Sequence, residues 1–258
     1  MVSHSPFAAL NFGEDNSLKK LKSFEEGNRL DIWCIRGIPK SEIARCMKYL
    51  TDDEKKRSER FLIPELSEQF VFIRAFQKNL FSAYLNCDVS ELSLHLDSDG
   101  KPRLFLHGSE ALRFNLTHSG NFFCIAVSKK YDIGVDIEHL NRKTDFSSII
   151  KRYYSAKEYC EWLKLPDESK REAFFRSWTR KEAYLKGIGI GLRGLNTVEV
   201  SFDTAIDRKV AEDLQNPAEA DCWNFHEFCL LPAVIGNCAI RSTNDVISMN
   251  LIHRDFSN

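Results

Sequence analysis

An α+β fold built from two related halves is what the sequence predicts, and three observations lead there. Stretches with helical 3–4 spacing of apolar residues are followed by short runs rich in β-branched and aromatic residues, separated by turn dipeptides. That helices-then-strands order occurs once before about residue 129 and again after it. The 258 residues are 43% hydrophobic and carry a net charge of −1, so a real core is affordable and extensive disorder is not expected. The predicted division is an N-terminal extension (1–28), a first half (29–129) and a second half (130–258). No residue-level repeat between the halves is visible.

The extension is polar and without period. From Leu30, Asp-Ile-Trp-Cys-Ile-Arg reads as a strand ending at Gly37. Helical pattern covers Pro39 to Leu50 and then Asp52 to Phe61, the latter with Thr51 as N-cap and Glu54 as its capping-box partner. Phe70, Ile73, Phe76, Leu80 and Tyr84 place a longer helix over about Glu65 to Leu85. Strands are predicted at Ser93–Leu96, Leu104–Leu106, Phe114–Thr117, Phe122–Ser128 and Ile133–Ile137, with Asp99-Gly100 and Ser119-Gly120-Asn121 as turns. In the second half, helices are predicted at Phe146–Tyr153, Ala156–Leu163 and about Glu168–Lys186. Gly187, Gly189, Gly191 and Gly194 are expected to end the last helix and form a mobile loop. Strands recur near Val198–Phe202, Asn224–Leu231, Ile235–Arg241 and Val246–Ile252.

With 36 basic against 37 acidic residues, recognition of nucleic acid by bulk charge is excluded. No apolar run reaches the ~20 residues of a membrane span, and the first residues lack the pattern of a secretory signal, so a cytoplasmic address is expected. The 8 cysteines include no Cys-x-x-Cys pair; they read as reduced, buried thiols rather than zinc ligands or disulfides. Charge is locally uneven. Ten basic and six acidic residues lie between Lys151 and Lys186, whereas two basic and seven acidic residues lie between Phe202 and Glu227. A basic helical stretch suits an acidic partner or phosphates, and a solvated helix face gives the same count.

Three runs carry chemistry. In Gly134-Val-Asp136-Ile-Glu138, strand alternation puts both carboxylates on one face and Val135 and Ile137 on the other. Converging carboxylates suit a hard cation such as Mg²⁺; a half-exposed strand with acidic residues outward has the same pattern. In Trp178-Thr-Arg-Lys-Glu182-Ala-Tyr-Leu-Lys186, helical spacing aligns Trp178, Glu182 and Lys186 on one side, and an ordinary Glu–Lys surface pair is the plain alternative. Phe114-Asn-Leu-Thr117-His118-Ser119-Gly120 is a strand tip offering N–H groups, a hydroxyl and an imidazole, all able to hold phosphate. A lone histidine at such a tip is more often structural.

Taken in order, these runs together with Glu54-Lys-Lys-Arg57-Ser-Glu-Arg60-Phe61 and Gly100-Lys101-Pro102 make the chain resemble the Sfp-type 4′-phosphopantetheinyl transferases over about residues 30–242. The resemblance implies a pseudo-dimer of two α+β halves with the site between them. It implies transfer of the 4′-phosphopantetheine arm of coenzyme A to a serine hydroxyl of an apo acyl or peptidyl carrier protein, releasing adenosine 3′,5′-bisphosphate. By the same resemblance Asp136, Glu138 and Glu182 are the expected ligands of Mg²⁺, Glu138 directly or through water, and Mn²⁺ can substitute. Glu182 is the expected general base, directly or through a metal-bound water, and Lys186 the expected contact of the pyrophosphate and the leaving phosphate. Arg57, Gly100, Lys101, Asn115, Leu116, Thr117 and His118 are expected on coenzyme A, together with Asp136, Glu182 and Lys186. The expected partners are coenzyme A and an acidic carrier protein, docked near Lys151, Arg152, Lys157 and Arg176; neither nucleic acid nor membrane is expected, and the chain is expected to be a monomer. Two rivals use the same residues: a two-metal phosphodiesterase, which would want more acidic ligands, and a silent binder of coenzyme A or carrier protein, which would not need all three carboxylates and Lys186.

Overall fold

The computed structural model describes residues 28–202, 212–231, 233–243 and 245–257. The expected N-terminal extension lies outside the described residues, Asn28 excepted.

The chain enters on β1 (Arg29–Arg36), close to its predicted span. The single helix expected over 39–50 is instead a 3₁₀ turn, a four-residue α1 (Ile43–Cys46) and a second 3₁₀ turn. None of the three has a side-chain N-cap. The next helix, α2 (Asp52–Ser58), has the capping box read from sequence. The Thr51 hydroxyl accepts from Glu54 N at 3.3 Å and Glu54 Oε2 accepts from Thr51 N at 2.8 Å. Helix α3 (Pro64–Leu85) starts on a proline and ends at Asn86, whose φ of 50° makes the left-handed cap. Strands β2 (Leu92–Leu96), β3 (Pro102–Leu106), β4 (Ser109–Ser119) and β5 (Phe122–Ser128) complete the first half.

The second half repeats the order. It contains β6 (Ile133–His139), α4 (Phe146–Tyr153), α5 (Ala156–Leu163) and α6 (Asp167–Ile188), then β7 (Val198–Glu199) and β8 (Glu212–Asp213). After them come α7 (Pro217–Ala220), β9 (Trp223–Leu231), β10 (Val234–Arg241) and β11 (Ser248–Asp255). Two glycine expectations change. Gly187 lies inside α6, which continues to Ile188 and ends at Gly189 with φ +92°. The mobile loop is replaced by a 3₁₀ turn over Gly191–Gly194 with Gly194 buried. The strand expected over 198–202 is only the short β7.

β1, β5 and β4 pair antiparallel in that order, and so do β6, β10 and β9. The first sheet is extended by β3 and β2 on one side. On the other side β11 pairs parallel with β1, so the last strand crosses from the second half to the edge of the first. Alternation sorts each strand into two faces. Trp33, Ile35, Phe123, Ile125 and Val127 pack against Phe72, Phe76 and Leu80 of α3. Leu30, Ile32, Cys34, Cys124 and Ala126 face Ile133, Val135, Ile137 and Cys238 of the second sheet. Ile235 and Ala239 face Ala183, Tyr184 and Leu185 of α6. The molecule is thus four layers: α3, first sheet, second sheet, α6. This is the predicted α+β pseudo-dimer.

All eight cysteines are free, and Cys34, Cys46, Cys124 and Cys238 are buried as expected, whereas Cys160 and Cys229 are exposed. Among the described residues no helix is long and apolar enough to cross a membrane.

Candidate active site

The site forms where α6 crosses β6, and glycine sets the distance. A Cβ on Gly134 would collide with the Ala183 carbonyl and the Gly187 amide, and one on Gly187 would meet the Trp223 ring at 2.5 Å. Only a bare backbone at both positions lets the helix lie this close to the strand. On β6, Gly134, Asp136 and Glu138 share the face toward α6, while Val135 and Ile137 enter the core between the sheets. On α6, Glu182 and Lys186 stand one turn apart.

The close crossing brings four charged groups together. Lys186 Nζ donates to Asp136 Oδ1 at 2.6 Å and to Thr117 Oγ1 at 3.0 Å, and Thr117 donates to the same carboxylate oxygen at 2.8 Å. Asp136 Oδ2 is buried and has no hydrogen-bond partner among the described residues. Burial, reinforced by the Asp136 charge and countered by Lys186, pushes the Glu182 carboxyl up to about 7. Glu138 is also raised by burial, although Ser119 and Arg142 partly offset it. Both Glu138 oxygens are engaged. Ser119 Oγ donates to Oε2 at 2.8 Å and Arg142 donates to Oε1 at 2.5 Å.

Strand β4 carries the opposite wall. Asn115, Thr117 and Ser119 alternate along it with the period of Asp136 and Glu138 on β6, and they bind in order. Asn115 Oδ1 accepts from Val135 N at 2.9 Å, Thr117 reaches Asp136, and Ser119 takes Glu138 while accepting from His139 N at 3.2 Å. This polar seam joins the halves beside the carboxylates. His118 points outward with its ring near Phe123, and partial burial plus the neighbouring Lys186 lower its imidazole below the usual range.

Other expected residues are placed differently. Leu116 turns to the opposite face and packs against the core under α3, as strand alternation requires of a residue between Asn115 and Thr117. Gly100 forms the β2–β3 turn at φ +87°. Lys101 is turned inward. Its ammonium is buried and donates to the carbonyls of Ile133, at 3.2 Å, and Gly187, so it is committed to backbone rather than open to a nucleotide phosphate. Burial lowers its pKa to about 8. Arg57 is exposed on α2, with its guanidinium 5.2 Å from the Phe70 ring centre. Arg176, expected on the docking face, is held by Glu172 and Glu227.

Sequence reasoning missed Ser119 and Arg142 as partners of Glu138. The signal available was the Asn115-x-Thr117-x-Ser119 alternation, which matches the two-residue period of the acidic strand.

Among the described residues no three carboxylate, imidazole or thiol groups converge as a closed metal site. The unpartnered Asp136 Oδ2 and the elevated Glu182 nevertheless fit a divalent cation held by two carboxylates and completed by substrate oxygens. Glu138 has its two oxygens engaged by Ser119 and Arg142.

A profile of the 4′-phosphopantetheinyl transferase superfamily matches residues 132–236, and one for the N-terminal part of 4′-phosphopantetheinyl transferases matches residues 39–130. The chain is 37% identical over 165 residues to the 4′-phosphopantetheinyl transferase HetI of Nostoc sp., covering 64% of this chain and 70% of that protein. It is 26% identical over 161 residues to the 4′-phosphopantetheinyl transferase Sfp of Bacillus subtilis, covering 62% of this chain and 70% of that one. A mouse L-aminoadipate-semialdehyde dehydrogenase-phosphopantetheinyl transferase is 27% identical over 190 residues, covering 70% of this chain and 61% of its own length. The two profiles meet at the junction between the two sheets, and the chain covers 70% of the relative from Nostoc at 37% identity: the chain belongs to the 4′-phosphopantetheinyl transferase superfamily.

Proposed function

We propose that the chain transfers the 4′-phosphopantetheine arm of coenzyme A to a serine hydroxyl of an apo carrier protein, as a holo-carrier-protein synthase. The observation that carries this reading is the pairing of Asp136 Oδ2, buried without a partner, with Glu182, a carboxylate of raised basicity, beside the Lys186 ammonium.

The serine oxygen forms a bond to the β-phosphorus of coenzyme A, the bond from that phosphorus to the bridging oxygen breaks, and adenosine 3′,5′-bisphosphate leaves. Asp136 and Glu182 would hold Mg²⁺, or Mn²⁺ in its place, with Glu138 as the third carboxylate of the set, directly or through water. Bound there, the cation would neutralise pyrophosphate charge that the carboxylates otherwise repel. Glu182 accepts the serine proton as the serine oxygen attacks. Lys186 moves its ammonium from Asp136 to the pyrophosphate, where Thr117 orients it. His118 and Arg57 serve the nucleotide end, and the exposed Lys151, Arg152 and Lys157 offer an acidic carrier protein a basic face on α4 and α5. Both halves of the pseudo-dimer are in one chain, so we propose a monomer, acting in the cytoplasm.

The test is mass spectrometry of an apo carrier protein incubated with coenzyme A, Mg²⁺ and the purified chain. A phosphopantetheine increment on the carrier serine is expected, and excess EDTA should abolish it. No increment with any of fatty-acid, polyketide or nonribosomal-peptide carriers would overturn the reading.

A further inference from the structure

Lys101 is a buried charge that the transfer chemistry leaves unused, and its position gives it a different task. It sits at the tip of the β2–β3 hairpin, in the first half, yet both of its recorded acceptors belong to the second: Ile133 at the start of β6 and Gly187 in the last turn of α6. Carbonyls in a helix's last turn have no partner within the helix, and a cation there also meets the negative end of the helix dipole.

The hairpin tip is itself rigid. Asp97 Oδ1 accepts from the amides of Asp99 at 3.1 Å and Lys101 at 2.9 Å, and Lys101 O accepts from Asp97 N at 3.0 Å. Arg103 bonds Asp97 at 3.0 Å and Asp132, the residue before β6, at 2.9 Å. At the helix end, a Cβ on Gly189 would come within 3.6 Å of Asp99 Cβ and 3.7 Å of Lys101 Cβ, so hairpin and helix terminus are in contact. Lys186 precedes Gly187 directly, and Asp136 lies three residues after Ile133 on the same strand. An apolar side chain would be less costly to bury than an ammonium with neutral acceptors; what the ammonium adds is direction.

We propose that Lys101 is a positioning residue, which staples the β2–β3 hairpin to the end of α6 and the start of β6 and thereby sets Lys186 against Asp136. The inference rests on the transferase reading for its kinetic consequence and not for its structural one.

The test therefore has two arms, run on Lys101→Met, which keeps the aliphatic length, and on Lys101→Gln, which keeps one N–H donor. Hydrogen exchange on the free protein should show amides 186–189 exchanging about tenfold faster in Lys101→Met, with amides 174–180 unchanged and partial recovery in Lys101→Gln. In the transfer assay kcat should fall about 10- to 100-fold, the effect of a reacting group displaced by ~1 Å, with KM for coenzyme A within about threefold. Unchanged exchange at 186–189 in both variants overturns the staple whatever the wild-type activity proves to be. A large rise in KM with kcat intact overturns the positioning role and returns Lys101 to the nucleotide. If the wild-type chain transfers nothing, the transferase reading falls while the exchange arm still decides the staple.

Discussion

The two halves of the molecule build the same module and use it for opposite ends. Each has a short helix opened by a capping box, Thr51 with Glu54 and Ser155 with Glu158. In each, a lysine from the long helix reaches the box glutamate: Lys78 to Glu54 at 2.5 Å and Lys181 to Glu158 at 2.9 Å. Lys78 and Lys181 occupy the same position in helices of equal length, 22 residues. Counting from those lysines, Asn79 matches Glu182, Ala83 matches Lys186 and Tyr84 matches Gly187. On the strands, the helix-facing Asp31, Trp33 and Ile35 match Gly134, Asp136 and Glu138. Tyr84 meets Asp31 through a 2.6 Å hydrogen bond where Gly187 meets Gly134 through bare backbone. The first half fills its crossing with side chains, and Trp33 donates to Tyr84 within it at 2.8 Å. The second strips the crossing to glycine and lines the strand beyond it with charge. One frame thus yields a core in the first half and a site in the second.

The largest expected effects follow from that exchange of roles. Asp136→Asn and Glu182→Gln should each lower kcat by about 10²–10⁴-fold, the range for a lost acid–base or charge-stabilising group, with no loss of thermal stability. Asn at 136 keeps an oxygen that can accept from Thr117 and Lys186, and Gln at 182 removes a charge that burial and Asp136 already oppose. Trp33→Ala, at the matching strand position, should cost about 3–5 kcal/mol of stability. Urea unfolding of all three variants alongside turnover makes the check. A destabilised Asp136→Asn, or a Trp33→Ala that loses turnover while keeping its stability, would break the division between site and core.

The two lysine–glutamate pairs sharpen it next. Lys181 and Glu158 have side-chain exposures of 0% and 2%, against 11% and 18% for Lys78 and Glu54. Burial pushes Glu158 up and Lys181 down, toward neutrality from both sides. Lys181→Met should therefore cost about 3–5 kcal/mol, because it strands a buried carboxylate. Lys78→Met should cost no more than about 1 kcal/mol, since Arg74 also pairs with Glu54 and water reaches the site. Equal losses in denaturant midpoint would mean that burial does not distinguish the two copies.

Gly134→Ala comes third. The added methyl must displace the Ala183 carbonyl, so overpacking of about 1–3 kcal/mol is expected, with a fall in kcat as α6 moves away from Asp136. A variant with wild-type stability and turnover would show that the close crossing is not required.

Much of this was legible in the sequence because it is local. The capping box at Thr51, the spans of the helices at 146–153 and 156–163, and the strand at 122–128 all depend on neighbours within a few residues. Alternation alone put Asp136 and Glu138 on one face. What stayed hidden depends on partners distant along the chain. The repeat between halves is carried by contacts such as Lys78–Glu54 and Lys181–Glu158, which share no continuous sequence pattern. Lys101 lies in a motif that the sequence ties to the nucleotide, and only the position of Gly187, 86 residues on, reveals its acceptor. Gly187 itself, read as a helix terminator, is a packing glycine because Gly134 and Trp223 are there.

The smallest expected effect tests whether the two capping boxes respond oppositely to pH. Burial raises the Glu54 carboxyl, but Lys78, the Thr51 amide and Arg74 together outweigh it and leave the group below its ordinary value. A folded-state pKa below the unfolded one contributes stability that is present above the unfolded value, about 4.3, and lost as pH falls through the folded one. Glu158 is displaced the other way, with burial dominating Lys181 and its two amide donors. Its contribution is present below the unfolded value and lost as pH rises toward the folded one. Glu54→Gln should cost about 1 kcal/mol near neutrality, the worth of a capping interaction, and should flatten the acid limb of the stability curve. Glu158→Gln should leave that acid limb in place and remove the decline on its other side. Urea midpoints between about pH 3 and 7 measure both curves. If both substitutions flatten the same limb, burial does not reverse the pH response of the second pair, and the halves differ in their site alone.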